Sequence, residues 1–396
     1  DISPYLIANF NIAPDVLTGD QFLSIKNLPN KDLKWEKTNS YNIAIDWAFW
    51  NNRVYGSLDV YYKKGVDQVV TKNVAPSTGA SSVSINDGDV ENRGWDLAVS
   101  FVPVQTRNWM WSISFNTGKN YNKVLNAGNS AVTWQDYIAG TLVSNGNAIN
   151  SFYSYKFDKL DAQGYPTFKD VNEKDEEGNA VVHSQQEMYD RAFVLSGKRE
   201  PDLTGGFSTY LKYKNITFNA LFSFSFGNKI RLNDLYESSG QRLPYPDQNM
   251  SSEFVNRWRG PGDEKNTNIP GIRTSLTAQG NSADVALDYG WWRGYSAWTP
   301  ITSTNASKYE LYDYSDLRVV RGDYLRLQSL SFRYVFDKEL IQKVGMTSAY
   351  ISLSATNLFT ICDKKLKGQN PEQSGTSSMV NISVRPTYSV SLNVNF

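Results

Sequence analysis

Side chains able to do covalent chemistry are few in this sequence and lie far apart. There is a single histidine, His183, and a single cysteine, Cys362. One histidine excludes the H-E-x-x-H zinc motif, and the lone thiol has no neighbouring histidine in the sequence to act as its base. We interpret His183 as a plain surface residue of a polar loop. The sequence therefore predicts that this chain is not an enzyme.

One acidic segment is a candidate metal site. Residues 170–178 read Asp-Val-Asn-Glu-Lys-Asp-Glu-Glu-Gly, which resembles a calcium loop because Asp170, Asn172 and Asp175 offer oxygen ligands. The third ligand and the glycine are displaced, however, so the oxygen spacing that a hard cation demands is lost. We favour a solvated acidic loop, keep Ca²⁺ at these three residues as the alternative, and predict no other cofactor.

A dense group of aromatic residues lies outside any predicted strand. It consists of Trp291, Trp292, Tyr295 and Trp298. Exposed rings can stack on sugar rings or peptide side chains, or they can pack a loop against another protein. Packing is the favoured interpretation, and direct contact with a substrate is the alternative.

The elements that position these loops are strands with strict two-residue alternation. Along 41–49, large apolar side chains alternate with small or polar ones such as Asn42, Ala44 and Asp46, and a strand places the two sets on opposite faces. The same pattern predicts nine strands, at about 41–49, 54–62, 95–101 (ending at Pro103), 109–118, 207–213, 216–226, 330–336, 349–355 and 388–396.

The composition favours a membrane barrel over a soluble β-sandwich. Aromatic residues make up 14% of the chain, and it contains no run of about 18 apolar residues that would form a helical span. A membrane strand needs only about 9 to 11 residues, of which every second one faces a polar pore. The polar face is rich in Asn, Ser, Ala and Gly, with few Lys or Glu, which is typical of a wet pore rather than open solvent. We therefore predict an all-β, transmembrane antiparallel β-barrel.

The links between the strands alternate in length, which orients the barrel. Those near 51, 103–108, 214 and 337–348 are short, whereas those near 72–88, 120–200, 228–318 and 361–384 are long. Outer-membrane barrels have short periplasmic turns and long extracellular loops. Aromatic residues mark both predicted membrane boundaries, with Trp47, Phe49, Trp50, Trp109 and Trp111 at the short turns and Tyr61, Tyr62, Tyr121 and Tyr388 at the other end.

Two features do not fit a closed, regular barrel. Arg326 and Gln328 share parity with the apolar Leu330 and Phe332, so either they lie above the hydrocarbon band or a bulge shifts the register. Nine strands also leave two open edges, which lipid does not tolerate. We therefore expect further strands before Asp1, with 1–30 as an extracellular loop segment and 31–396 as the C-terminal part of the barrel. The formal net charge is zero, so no excess of positive charge predicts binding to nucleic acid.

Several short motifs resemble the SusC/RagA family of TonB-dependent transporters, and in order they cover nearly the whole chain. They are Leu-Lys-Trp-Glu-Lys-Thr at 33–38, Asn-Asn-Arg at 51–53, Val-Tyr-Tyr-Lys-Lys at 60–64, Asn-Arg-Gly-Trp at 92–95, Trp258 with Pro-Gly-Asp at 261–263, Tyr-Leu-Arg-Leu at 324–327, Asn-Leu-Phe at 357–359, Asn-Pro-Glu at 370–372 and Arg-Pro at 385–386.

This resemblance implies a barrel of about 22 strands with a plugged lumen, of which the chain supplies the last nine. It implies an outer-membrane importer of a nutrient oligomer, a glycan or a peptide, coupled to the TonB complex through an N-terminal region. A SusD-like surface lipoprotein would cover the long loops as a lid, in a dimer of transporter–lipoprotein pairs. Phe396 resembles the assembly signal of outer-membrane barrels, or is simply a residue of the aromatic girdle. A siderophore or vitamin receptor and a structural or adhesive barrel are the alternatives.

Overall fold

The structure is a computed structural model in which one large sheet carries folded loops at one end. It describes residues 5–11, 19, 21–79, 82–128, 134–139, 142–169, 176–177, 181, 185–236, 251–271, 308–372 and 384–396. Within these ranges no helix combines the length and the apolar character that crossing a bilayer requires.

Strands account for most of the regular structure. In chain order they are β1 (Ile7–Asn11), β2 (Phe22–Asn27), β3 (Lys37–Phe49), β4 (Val54–Asn73), β5 (Ser82–Gln105), β6 (Trp109–Asn126), β7 (Ser151–Tyr155), β8 (Phe157–Leu160), β9 (Pro166–Phe168), β10 (Phe193–Lys198), β11 (Leu203–Tyr213), β12 (Ile216–Phe226), β13 (Lys229–Arg231), β14 (Val319–Arg321), β15 (Tyr324–Val335), β16 (Ser348–Thr356), β17 (Thr360–Cys362) and β18 (Thr387–Asn395).

The helices are short. They are α1 (Trp134–Ala139), α2 (Gln185–Ala192), α3 (Lys308–Asp313) and α4 (Lys338–Ile341). Single 3₁₀ turns occupy Pro76–Thr78, Ser252–Asn256, Asp263–Lys265, Asp316–Arg318, Gln342–Val344 and Lys364–Leu366.

The main sheet is an antiparallel wall in which neighbours in space follow one another along the chain. Among the described residues its order is β18-β16-β15-β12-β11-β6-β5-β4-β3, with the short β17 paired beside β16 on β15. All nine predicted strands are present, and the prediction of an antiparallel barrel wall is confirmed. In the same part of the chain, β3 and β18 each pair on one side only.

The register of the sheet separates an apolar face from a polar face. One row of directly paired residues is Trp47–Gly56–Val99–Phe115–Phe207–Phe222. The adjacent row is Asp46–Ser57–Ala98–Asn116–Gly206–Ser223. Paired residues in antiparallel strands point to the same side, so the two-residue alternation of each strand continues from strand to strand.

The apolar face does not form a dry core. The clusters of buried hydrophobic side chains that the structure describes contain no residue of the nine wall strands. Trp111 is 38% exposed, and Trp47, Phe222 and Val394 are half-buried. This face is therefore the outward surface of the wall, as the alternation predicts for a barrel in lipid.

Two short turns at the predicted periplasmic end have the backbone geometry that their sequences favour. Trp50, Asn51 and Asn52 all have positive φ between β3 and β4, a conformation that Asn adopts more readily than most residues. Lys214, with φ of 49°, and Asn215 form a two-residue hairpin that pairs Tyr213 with Ile216. The tight turns predicted at these two places are confirmed.

Glycines in the wall are covered by aromatic rings from the paired strand. A Cβ added at Gly56 would lie 2.7 Å from the Trp47 ring, and one at Gly205 would lie 2.7 Å from the Phe224 ring. Both pairs are direct cross-strand neighbours, so the ring fills the space that glycine leaves open. Such packing pins the register of a sheet.

Three predicted details of the wall are wrong. β5 continues through Pro103 to Gln105, because a register shift between Phe101 and Val104 accommodates a residue that has no N–H to pair. The long loop predicted at 72–88 is mostly a hairpin, since β4 and β5 stay paired as far as Asn73 and Ser82. The link at 337–348 contains α4 followed by a 3₁₀ turn rather than a simple short turn.

The loops predicted at 120–200 and 228–318 are largely folded where the structure describes them. We call β7–β10, β13, β14, α1–α3 and residues 251–271 the loop platform. It contains three two-stranded sheets, β7 with β10, β8 with β9, and β13 with β14. Its buried clusters are mainly aromatic: one centres on Tyr137, Tyr155, Tyr189 and Phe193, and another on Phe157, Tyr236, Phe254 and Tyr312.

Candidate functional site

The polar side of the wall, which we call the pore face, is lined by small hydroxyl and amide groups. The Oγ atoms of Ser100 and Ser114 lie 2.9 Å apart, and those of Ser352 and Ser391 lie 2.8 Å apart. Hydroxyl and amide groups both donate and accept hydrogen bonds. The surface can therefore bind the hydroxyls of a sugar or the amides of a peptide.

Tyr61 lies on the pore face, and its predicted place in the outer aromatic girdle is wrong. The register pairs it with Asn42 and Gly94, and its hydroxyl donates to Asn120 Oδ1 at 3.2 Å. Its neighbour Tyr62 has the opposite parity and stays on the outward face. The two adjacent tyrosines therefore lie on opposite faces of the wall.

A β-bulge at Gln328 brings Arg326 onto the pore face. Leu221 pairs with Ser329 and Phe222 pairs with Leu327, so Gln328 is the extra residue of β15. Its side chain donates from Nε2 to Ser223 Oγ at 3.0 Å. The sequence left two explanations open for Arg326, and the bulge is the correct one.

Arg326 holds the segment after β17 against the wall. Its Nη1 lies 3.0 Å from Glu372 Oε1, while its Nε and Nη2 donate to Thr360 Oγ1 and Asn370 Oδ1, each at 3.1 Å. Tyr324 also donates to Glu372 Oε1 at 3.1 Å. We call Arg326, Thr360, Asn370 and Glu372 the clasp. It unites two of the motifs that carry the family resemblance, 324–327 and 370–372.

Gln369 connects the clasp to the loop platform. Its Nε2 donates to the Arg231 carbonyl at 3.1 Å, and its Oε1 accepts from the Asn233 backbone at 3.0 Å. Arg231 belongs to β13 of the platform, and Gln369 precedes clasp residue Asn370. One continuous hydrogen-bonded path therefore joins the pore face to the folded loops.

Arg231 is a buried cation at the centre of the platform. Its Nη2 donates to the Tyr153 carbonyl at 2.8 Å and to Ser154 Oγ at 3.2 Å, and its guanidinium lies over the rings of Phe152 and Tyr314, at 5.6 and 5.4 Å from their centroids. Burial lowers the pKa of Arg231 to about 10. It therefore stays charged at neutral pH and fixes β13 on β7.

A second buried group of charges joins α3 to the segment 251–271. Arg318 donates from Nη1 to Glu253 Oε2 at 2.7 Å, and its Nε lies 3.7 Å from Asp313 Oδ1. The Asp313 oxygens accept from the backbone amides of Leu235 and Tyr236, each at 2.9 Å. Burial raises the pKa of the Asp313 carboxyl to about 7, although Arg318 opposes the rise.

Comparison with known proteins shows what this wall is similar to. A profile described as "TonB dependent receptor-like, beta-barrel" matches residues 6–170. TonB-dependent receptor P3 of Formosa agariphila is 25% identical over 100% of this chain and 38% of its own length. The chain is therefore similar to the β-barrel of TonB-dependent receptors. It lies in the bacterial outer membrane.

Two further proteins are similar to this chain. TonB-dependent receptor SusC of Bacteroides thetaiotaomicron is 29% identical over 52% of this chain and 20% of its own length. The solved "Structure of the RagAB peptide transporter" has the same fold, with a TM-score of 0.69 and 21% identity over 99% of this chain and 38% of that one. The chain thus spans between 20% and 38% of the length of these relatives.

Most of the predicted site residues lie outside the described residues. This applies to the aromatic group Trp291, Trp292, Tyr295 and Trp298, to Asp170, Asn172 and Asp175 of the acidic loop, and to His183. In the part that is described, no group of three or more His, Cys, Asp or Glu side chains could hold a metal ion. Contact of the aromatic group with lid or substrate and Ca²⁺ binding by the acidic loop stay predictions.

Both flanks of the aromatic segment belong to the loop platform. On one side, Tyr236 donates its hydroxyl to the Pro270 carbonyl at 2.9 Å, and the Gly271 amide donates to the Gly164 carbonyl at 3.0 Å. On the other side, Leu311 and Tyr312 of α3 are buried in the platform's clusters. The described residues on either side of 272–307 therefore belong to a folded base.

Several motifs of the family resemblance have structural roles in this chain. In 33–38, the Lys34 amide donates to Asn86 Oδ1 at 2.7 Å, and Asn86 Nδ2 donates back to the Lys34 carbonyl at 2.9 Å. Trp258 covers Gly164, where an added Cβ would lie 2.4 Å from the indole. These two motifs maintain the wall and the platform.

The terminal Phe396 follows β18 and is 82% exposed. Its predicted role as an assembly signal stays a prediction.

Proposed function

We propose that this receptor imports a nutrient oligomer, a glycan or a peptide, across the outer membrane by TonB-dependent active transport. Similarity to TonB-dependent receptors supports transport rather than catalysis. The shared fold with the RagAB peptide transporter supports an oligomeric cargo. In this proposal the chain performs no covalent chemistry.

The observation that carries the proposal is the extent of the polar pore face. One row of small or polar residues, with Ala98 as its apolar member, runs across six neighbouring strands from Asp46 to Ser223. Many weak hydrogen bonds spread over a long surface suit a chain of repeated sugar or amide units. A compact metal chelate would instead need a few strong, convergent groups.

We propose three partners for the import step. A SusD-like lipoprotein would close over the loop platform, the TonB complex would displace a plug from the lumen, and two transporter–lipoprotein pairs would form a dimer. The platform supports the first of these, because its aromatic clusters and buried ion pairs give a lid a firm base.

The test is genetic and uses the gene in its own genome. A deletion strain would be grown on defined oligosaccharides and peptide mixtures as sole carbon sources, with and without complementation. We expect loss of growth on one oligomer class, restored by the wild-type gene, and loss of labelled oligomer uptake when a protonophore collapses the proton-motive force. Unchanged use of every oligomer, with loss of siderophore or vitamin uptake, would instead support the alternative receptor class.

The aromatic group provides a second test, aimed at its role. We propose that Trp291 and Trp298 pack the segment 272–307 against the lid. The double change Trp291→Ala and Trp298→Ala should reduce co-purification of the lipoprotein several-fold and leave the affinity of the isolated receptor for oligomer unchanged. A loss of oligomer affinity with normal lid association would show instead that these residues bind the substrate.

A further inference from the structure

Basic side chains gather on the outward face of β4, β5 and β6, directly above the apolar band. The top outward row of that band is Ile43–Val60–Trp95. The next outward row is Tyr41–Tyr62–Arg93–Tyr121, and the row after it is Asn39–Lys64–Glu91–Lys123. Lys119 pairs with Trp95 at the edge of the band. We call Lys64, Arg93, Lys119 and Lys123 the basic patch.

The patch has a clear excess of positive charge. Glu91 is the acidic residue within these rows; its Oε1 lies 3.8 Å from Arg93 Nε, and its Oε2 accepts from the Tyr62 hydroxyl at 3.4 Å. The Arg93 side chain is 67% exposed. Arg93 and Lys119 both lie over the Tyr121 ring, at 5.9 and 4.7 Å. One ring thus holds two cations close together, with the guanidinium open to solvent.

The position of the patch matches the headgroups of the outer leaflet. The strands lead from this end into the β4–β5 hairpin and the loop platform, which makes it the extracellular end. Tyrosines at this level are typical of the membrane boundary. β4, β5 and β6 all have strands on both sides, so the exposure of the patch is not caused by an open sheet edge.

We propose that the basic patch binds the phosphate groups of a phosphorylated lipid of the outer leaflet. The acyl chains would lie on Val60 and Trp95 below, while the phosphates meet Arg93 and the lysines above. A guanidinium binds phosphate through paired, charge-assisted hydrogen bonds. Because the patch is shallow and open, affinity depends on the acyl chains as well as the charge, which selects the lipid over free phosphate.

The experiment measures lipid retention by the whole purified receptor. The protein would be placed in nanodiscs of neutral phosphatidylcholine with increasing diphosphoryl lipid A, and bound lipid A would be quantified by native mass spectrometry. Removal of each cation near a membrane surface weakens binding about fivefold. The triple variant Lys64→Gln, Arg93→Gln and Lys119→Gln should therefore bind on the order of a hundredfold more weakly.

Lys63 provides the matched control. It neighbours Lys64 on β4 but pairs with Ser40 and Asn92 on the pore face, so Lys63→Gln should retain lipid A as the wild type does. Arg93→Lys should retain most of the lipid A binding. Dephosphorylated lipid A should bind the wild type and the triple variant equally, and inorganic phosphate should not bind the protein in detergent. The heat-dependent gel shift of a folded barrel would confirm that every variant is folded. Equal lipid A retention by the folded wild type and the folded triple variant would overturn the proposal. Equal losses of lipid A from Lys63→Gln and Lys64→Gln would also overturn it.

Discussion

The wall and the loop platform belong to one chain but are stabilised in opposite ways. In the wall, large side chains face outward and polar ones face the pore, so backbone pairing and lipid replace a dry core. The platform buries tyrosines and phenylalanines around the Arg231 guanidinium and the ion pairs of Arg318, as a soluble domain does. A change of charge should therefore destabilise the platform where it breaks a buried ion pair, and the wall where it places a charge in lipid.

The largest effect is expected where a buried charge loses its partner. Arg318→Ala would leave Asp313 and Glu253 without their cation, and breaking a buried pair costs about 3–5 kcal/mol. Hydrogen exchange should accelerate in α3 and at Leu235 and Tyr236, while the wall strands stay protected. Arg321→Ala removes an exposed cation three residues later and is the control; equal acceleration in both variants would show that the ion pair does not stabilise the platform.

The next effect tests the two faces of the wall. Phe115→Arg places a charge in lipid and should lower barrel stability by about 2–4 kcal/mol. The same change at the adjacent Ser114, on the pore face, should have a much smaller effect. Urea titration of the folded, heat-modifiable band measures both. A larger loss for Ser114→Arg would reverse our assignment of the faces.

An intermediate effect is expected at the clasp, where the two regions meet. Arg326→Met removes hydrogen bonds to a charged group, and each such bond contributes about 1.5–3 kcal/mol. The contribution of the bond to Glu372 should lie near the lower limit, because the Glu372 side chain is 39% exposed. Protease cleavage within 357–372 should become faster. Arg326→Lys should restore part of the protection, and Arg333→Met, elsewhere on the pore face, should leave cleavage unchanged.

A pH dependence should also separate the two regions, because only the platform should show it. The folded-state pKa of Asp313, about 7, lies above its ordinary value, so folding takes up a proton between these two values. Platform stability should therefore increase as the pH falls from about 7 towards 4 and decrease as the pH rises through 7. Exchange at the Leu235 amide, corrected for its intrinsic pH dependence, measures this. A platform that weakens on acidification, or a response that persists in Asp313→Asn, would contradict it.

The sequence predicted the wall because its signal is local. Alternation in 41–49 or 216–226 follows from the period of a strand in contact with two different solvents, and the register then follows from short turns such as Lys214-Asn215. The sequence could only suggest the bulge at Gln328. It shows that Arg326 and Leu330 share parity, but only the pairing of β15 with β12 shows that Gln328 is the extra residue.

The platform was not predicted because its contacts join distant parts of the chain. Arg231 meets Tyr153, and Arg318 meets Glu253, across separations of 78 and 65 residues. Strands of three to six residues, such as β13 and β7, carry too little periodicity to stand out among loop residues. Of the candidate site, the sequence predicted the small polar groups of the pore face, but the clasp required the separate motifs at 324–327 and 370–372 to be seen together.

The long pairing of β4 with β5 has a practical consequence. From Tyr62 to Asn73 the ribbon extends about 35 Å along the strand, at roughly 3.3 Å per residue, and its hydrogen-bonded ladder reaches Asn73 and Ser82 at the far end. A short peptide tag inserted next to Gly79 would thus stand clear of the lipid on a stiff stalk. Antibody staining of intact cells could then count receptors at the surface without touching either the channel or its folded loops.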